Sequence, residues 1–231
     1  MNIAHHIKAE FQKLANPKKA MILSRFFKEK NFYGVMVPQT RALAKHFADR
    51  VMLPDIASLL ATGKHEERLF ALFVLVQHFQ KSRLREDFGE QSKIVDFYLK
   101  HATHINNWDL VDSSAPYILG AYLFENPKKR KILFKLAKSR NFWKCRIAIV
   151  ATQYFIKRGR FNETLKLATL LLKDSHDLIH KAVGWMLREV GKKDERALTM
   201  FLDKYAAAMP RTMLRYSIEQ LFASQKKKYM A

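Results

Sequence analysis

With one cysteine, Cys145, in 231 residues, the chain has no internal disulfide and no Cys-based zinc cluster. Glycine and proline are scarce as well, seven and six, too few for the many turns of a β-sandwich or barrel. No apolar run approaches the roughly 20 residues of a membrane-spanning helix, and the start, Met1-Asn-Ile-Ala-His-His6, lacks an apolar signal core. The expectation is a protein of the cell interior with no membrane partner. Acidic residues are in short supply too: 21 Asp and Glu face 42 Lys and Arg, a formal net charge of +21. Such an excess points to a polyanionic partner, most commonly nucleic acid, with an acidic protein or membrane surface as the rival. The nine His residues form no HExxH-like ligand pair, and neither a metal nor a cofactor is implied.

Apolar residues make up 48% of the chain, and they recur with helical rather than alternating period almost throughout. The pattern predicts helices over about 2–14, 17–29, 38–48, 54–62, 65–80, 88–100, 107–123, 127–137, 140–157, 161–172, 177–190, 194–206 and 211–222. Pro17, Pro38, Pro54 and Pro127 fall where helices begin; Gly63, Gly159 and Gly191 fall where they end. Helices starting near His65, Asn107, Phe142 and Asp177 recur every 35–42 residues or so, the period of paired-helix solenoids of the HEAT or armadillo kind. The expected architecture is all-α, a curved solenoid with a basic concave face. Residues 1–231 read as one domain, with 225–231 a frayed basic tail.

Within this array one stretch stands apart, Asn107-Trp-Asp-Leu-Val-Asp-Ser-Ser-Ala-Pro116. Trp108 and Asp112 are four residues apart and share a helix face. Arg146 and Trp185 follow Asp112 at intervals of 34 and 39 residues, near the repeat period, so stacked repeats bring all four to one wall. An Arg fork suits phosphate, and Trp faces pack on sugars or bases. A carboxylate on a polyanion-binding face costs affinity, which chemistry would justify: stabilising an oxocarbenium-like sugar, or orienting or deprotonating an attacking water. Each residue also has a plainer reading. The Trp residues also read as core of amphipathic helices, Asp112 as a structural hydrogen-bonding group before Ser113-Ser114, and Arg146 as solvated or ion-paired. Asp109 reads as structural, Trp143 and Cys145 as packing residues, and Lys128-Lys-Arg-Lys131 as a solvated face.

Together these blocks resemble the AlkD-type DNA alkylation-repair glycosylases, a HEAT-like-repeat family. The matching stretches are Asn16-Pro17 with Phe26, Tyr33-Gly-Val-Met-Val-Pro-Gln-Thr-Arg41, His65-Glu-Glu-Arg68 with Ala71, and Trp108-Asp-Leu-Val-Asp112 with Pro116 and Gly120. Asn141-Phe-Trp-Lys-Cys-Arg146 with Ala148, and Lys181-Ala-Val-Gly-Trp185 with Leu187-Arg-Glu189, complete the set in order. The resemblance implies that Asp112 is catalytic, Trp108 and Trp185 contact DNA at the deoxyribose, and Arg146 lies by a phosphate. Phe26 stands where the family can carry Tyr, keeping an aromatic DNA contact without the hydroxyl, and Asn107 where some members carry a second Trp.

The same resemblance implies the activity: a monofunctional glycosylase of base excision repair that hydrolyses the N-glycosidic bond of cationic alkylpurines, such as 3-methyladenine and 7-methylguanine, in duplex DNA. It would leave an abasic site, work from the backbone side without a base-flipping pocket, need no cofactor, and act as an intracellular, nucleoid-associated monomer. The alternative is a non-catalytic HEAT-repeat protein that binds damaged or branched DNA.

Overall fold

A computed structural model describes residues 3–27 and 30–230. The expected helices over 2–14 and 17–29 therefore extend, at residue 2 and at 28–29, outside the described part. Among the described residues there is no strand. The chain gathers into two compact units, Met1–Asn106 and Asn107–Ala231.

The first unit contains α1 (Ile3–Lys13), α2 (Pro17–Phe27), α3 (Val37–Phe47), α4 (Leu53–Leu60), α5 (His65–Leu84) and α6 (Phe88–Lys100). Helix α5 is its axis. Its residues from His65 to Val76 are buried on every side, and α3, α4 and α6 pack around it. From Leu69 to Val76 the run is apolar all round and cannot face water, so α5 becomes the interior helix of its unit. The caps are local. Gln39 and Asp55 each accept the N–H of the residue three before them, Met36 and Met52, and Asp87 accepts from Glu90 at the start of α6.

The loop from Asn31 to Met36 hangs on one buried carboxylate, Glu66. Its Oε1 accepts the N–H groups of Gly34 at 2.8 Å and Val35 at 3.2 Å, and its Oε2 accepts that of Tyr33 at 3.1 Å. Gly34 has φ +83°, left-handed backbone pressed against the Asn16 carbonyl, where a Cβ has no room. The Tyr33 hydroxyl donates to Glu67 at 2.6 Å, and burial together with that carboxylate pushes its pKa upward. The His65-Glu-Glu-Arg68 block thus builds the fold of the first unit.

The second unit comprises α7 (Trp108–Asp112), α8 (Ala121–Glu125), α9 (Lys131–Ala137), α10 (Phe142–Ala151), α11 (Gln153–Ile156), α12 (Asn162–Leu170), α13 (Asp177–Lys193), α14 (Glu195–Tyr205), α15 (Arg211–Ser217) and α16 (Ala223–Met230). Helix α10 packs against both α7 and α13, and α13 against α15. These four neighbours begin at Trp108, Phe142, Asp177 and Arg211, 34, 35 and 34 residues apart. The period read from the sequence is real within this unit and tighter than expected.

Two expectations need correction. The helix expected over 107–123 is interrupted after Asp112: residues 113–115 form a turn, and Pro116–Gly120 is a widened turn in which the Gly120 N–H donates to the Ala115 carbonyl, five residues back, at 2.9 Å. Pro116 is the cause, since it has no N–H for the carbonyl of Asp112, four residues earlier. The tail does not fray over 225–230. It lies in α16, where Lys228 pairs with Asp203 at 2.7 Å, the Tyr229 hydroxyl donates to Asp203 at 2.9 Å, and Arg211 donates to the Met230 carbonyl at 3.1 Å.

Candidate nucleic-acid interface around Asp112

Asp112 is the last residue of α7, and its position is set from both ends. Asn107 caps the helix, its side-chain oxygen accepting the Trp108 N–H at 2.8 Å, and Pro116 ends it. The departure from the family pattern at Asn107 therefore supplies a cap. Asn141 does the same one period later, accepting from Trp143 at 2.9 Å at the start of α10.

Arg146, on α10, ties the site together. Its Nε donates to Asp112 Oδ1 at 3.1 Å and its Nη2 to Oδ2 at 2.8 Å, a bidentate pair. Its Nη1 donates to the Leu178 carbonyl, in the first turn of α13, at 2.7 Å. One buried guanidinium thus joins α7, α10 and α13. The side chain of Arg146 is 6% exposed and that of Asp112 19%, so the carboxylate keeps an edge toward solvent while its partner is sealed. Burial pushes the Asp112 carboxyl above its ordinary value, with Asp109 adding to the rise and Arg146 pulling against it.

Trp108, on α7, and Trp185, on α13, are both half-buried, on the two helices that flank α10. A fully packed core Trp would not keep that exposure. The structure thus brings Asp112 and Arg146 into contact and places the two tryptophans on their immediate neighbours. It departs from expectation at Arg146, whose fork is given to Asp112 and not held out for phosphate. Three of its N–H groups are engaged, and of the five that a guanidinium carries two remain. Phe26 lies in the other unit, on α2, 68% exposed and edge-on to Phe27 at 5.1 Å between centroids.

Other features now have explanations. The Cys145 thiol is buried and donates to the Ser139 carbonyl at 3.2 Å. In the basic run, Arg130 caps α8 through the Leu123 and Phe124 carbonyls and pairs with Glu163 at 2.9 Å, so this cation is structural. Sequence reading missed His176, which caps α13 and stacks on Phe142 at 3.8 Å, fixing α10 against α13 beside Arg146. A ring one period from the Asn caps was the available signal. No group of three His, Cys, Asp or Glu among the described residues could hold a metal ion, and no helix there is long and apolar enough to cross a membrane.

This all-helical chain matches the family model of DNA alkylation repair enzymes over residues 7–221. The chain belongs to that family. Among solved structures it is similar to a predicted DNA alkylation repair enzyme from Enterococcus faecalis, with TM-score 0.71 and 19% identity, covering 90% of this chain and 97% of that one. A second likeness is to smu.31 from Streptococcus mutans UA159, with TM-score 0.58 and 16% identity over 89% of this chain and 98% of that one. At these identities the two structures speak to the fold alone. No curated protein matches the chain.

Proposed function

We propose that this protein is a monofunctional DNA glycosylase that releases cationic alkylpurines, of the 3-methyladenine and 7-methylguanine type, from duplex DNA. The observation that carries the reading is Asp112: a carboxylate held by a sealed Arg yet keeping a solvent edge, in a family member of charge +21. A carboxylate kept where phosphates must approach costs affinity, and stabilising charge that develops at the sugar repays it.

Alkylation at a ring nitrogen gives the base a positive charge, so it leaves as a neutral purine with the electron pair of the broken C1′–N bond. No acid is needed to protonate it. Asp112 stabilises the oxocarbenium-like sugar and orients the water that attacks C1′, and one proton is released as the abasic sugar forms. Trp108 and Trp185 cradle the deoxyribose, approached from the backbone side without a base pocket, and Phe26 adds an aromatic DNA contact. Arg146 acts as a positioning residue that fixes the carboxylate and favours its ionised form. The protein works as a monomer.

Incubation with a duplex carrying 7-methylguanine tests this. Wild type should release free base well above the spontaneous rate, and Asp112→Asn should abolish that excess while binding unmodified duplex at least as tightly. Absence of any excess with the wild-type protein sinks the glycosylase. A second reading, a non-catalytic binder of damaged or branched DNA, is favoured by the Asp112–Arg146 pair taken as a structural clamp. It expects duplex binding without base release, and Asp112→Asn changing only the melting temperature.

A further inference from the structure

Helix α13 presents more than Trp185. Asp177, Lys181 and Arg188 recur at four and seven residues along it and form one stripe. Opposite them, Thr212, Arg215, Tyr216 and Glu219 line the facing side of α15 and the residues after it, and together the two sides enclose a cavity of about 620 Å³. The cavity exists because the helices nearly touch at Gly184. A Cβ there would lie 2.5 Å from the Met213 carbonyl oxygen and 2.6 Å from the Tyr216 Cβ. Trp185, next to Gly184, is seven residues, two turns, on from Leu178, whose carbonyl Arg146 reaches. The ridge of α13 therefore has the Asp112 neighbourhood on its α10 side and this groove on its α15 side. Lys181 is close enough to Arg146 for the two cations to repel.

The charges inside are unevenly committed. Asp177 pairs with Lys181 at 2.7 Å, and Glu219 pairs with Arg188. Both carboxylates are thus neutralised by a cation of the same groove. Thr212 is committed as well, its hydroxyl donating to Asp177. Arg215 is left exposed, with no ion pair among the described residues, and shares the groove with the Tyr216 hydroxyl. An exposed planar fork beside a neutral hydroxyl donor, with the nearby carboxylates offset, suits a single phosphate monoanion.

We propose that the α13–α15 groove is a phosphate site, in which Arg215, with Tyr216, holds a backbone phosphate of the DNA strand beside the lesion. This rests on the glycosylase reading only for the identity of the lesion, since any duplex supplies the phosphate. Neighbouring helices are about 8–10 Å apart and the groove lies about two to two and a half spacings from α7, while one strand advances about 3.4 Å per nucleotide, so the phosphate lies about five to seven nucleotides from the sugar at Asp112. The groove thereby sets the register of the strand against the catalytic carboxylate.

Lesion-free duplex, titrated by fluorescence anisotropy against the full chain at a series of NaCl concentrations, provides the test. Each neutralised phosphate contributes about 0.9 to the slope of log affinity against log salt. Arg215→Gln should weaken binding and make the slope shallower by about 0.9. Arg196→Gln, which removes the same charge from an exposed position on α14 outside the groove, should keep the wild-type slope. Glu219→Gln, which frees Arg188 and removes a repulsive carboxylate, should tighten binding. An unchanged slope in Arg215→Gln, equal losses in Arg215→Gln and Arg196→Gln, or weakened binding in Glu219→Gln would each overturn the groove. Base release by the wild-type protein judges the enzyme reading separately. A slope that depends on Arg215 without base release keeps the groove and loses the glycosylase; release with an unchanged slope does the reverse.

Discussion

At Asp112 two opposing effects act on one carboxyl. Burial raises its pKa and Arg146 lowers it, with burial the larger. If the ionised form is the catalytic one, base release is present at neutral pH and is lost as pH falls through a pKa above the ordinary carboxylate value. Arg146→Gln removes the lowering partner, so the acid limb of the single-turnover pH–rate profile should move to higher pH. Thermal unfolding of the same variant should show a loss of about 3 kcal/mol, the low end for breaking a buried pair, because Asp112 keeps some solvent contact. A pH profile identical to wild type would mean that Arg146 clamps helices without tuning the carboxylate.

Elements place these residues through their ends and their close approaches. Helix α7 is five residues long because Asn107 starts it and Pro116 stops it, and its last residue is Asp112. The α13–α15 contact depends on a missing side chain. Gly184→Ala would drive a methyl into the Met213 carbonyl and Tyr216, and the overpacking should cost about 2 kcal/mol. Chemical denaturation should show this as a lower midpoint with an unchanged slope. Because the substitution pries α15 from α13, it should also weaken duplex binding, whereas an unaltered midpoint would show that the two helices slide apart freely.

For the whole molecule the governing quantity is a net charge of +21. If it serves to grip duplex DNA, affinity should fall steeply with salt: about six neutralised phosphates give a log–log slope near −5. Mobility-shift titrations at several salt concentrations read this directly. Undetectable binding even at low salt would turn the charge toward an acidic protein or membrane surface instead.

The sequence by itself determined the helical class, most helix positions, the repeat period and the candidate site residues. Each of these follows from local patterning: apolar spacing, caps, proline and a recurring interval near 34 residues within the second unit. It was also enough to single out Trp108, Asp112, Arg146 and Trp185, of which the structure brings Asp112 and Arg146 into contact. Only the tertiary structure decided what Arg146 does, because a bidentate pair with Asp112 and a bond to the Leu178 carbonyl join three helices that are remote along the chain. The same holds for the tail, which Asp203 draws into α16, and for Gly184, whose role is visible only once α15 lies against it. Periodicity says which face a residue occupies; the partner that meets it there depends on how separate helices pack.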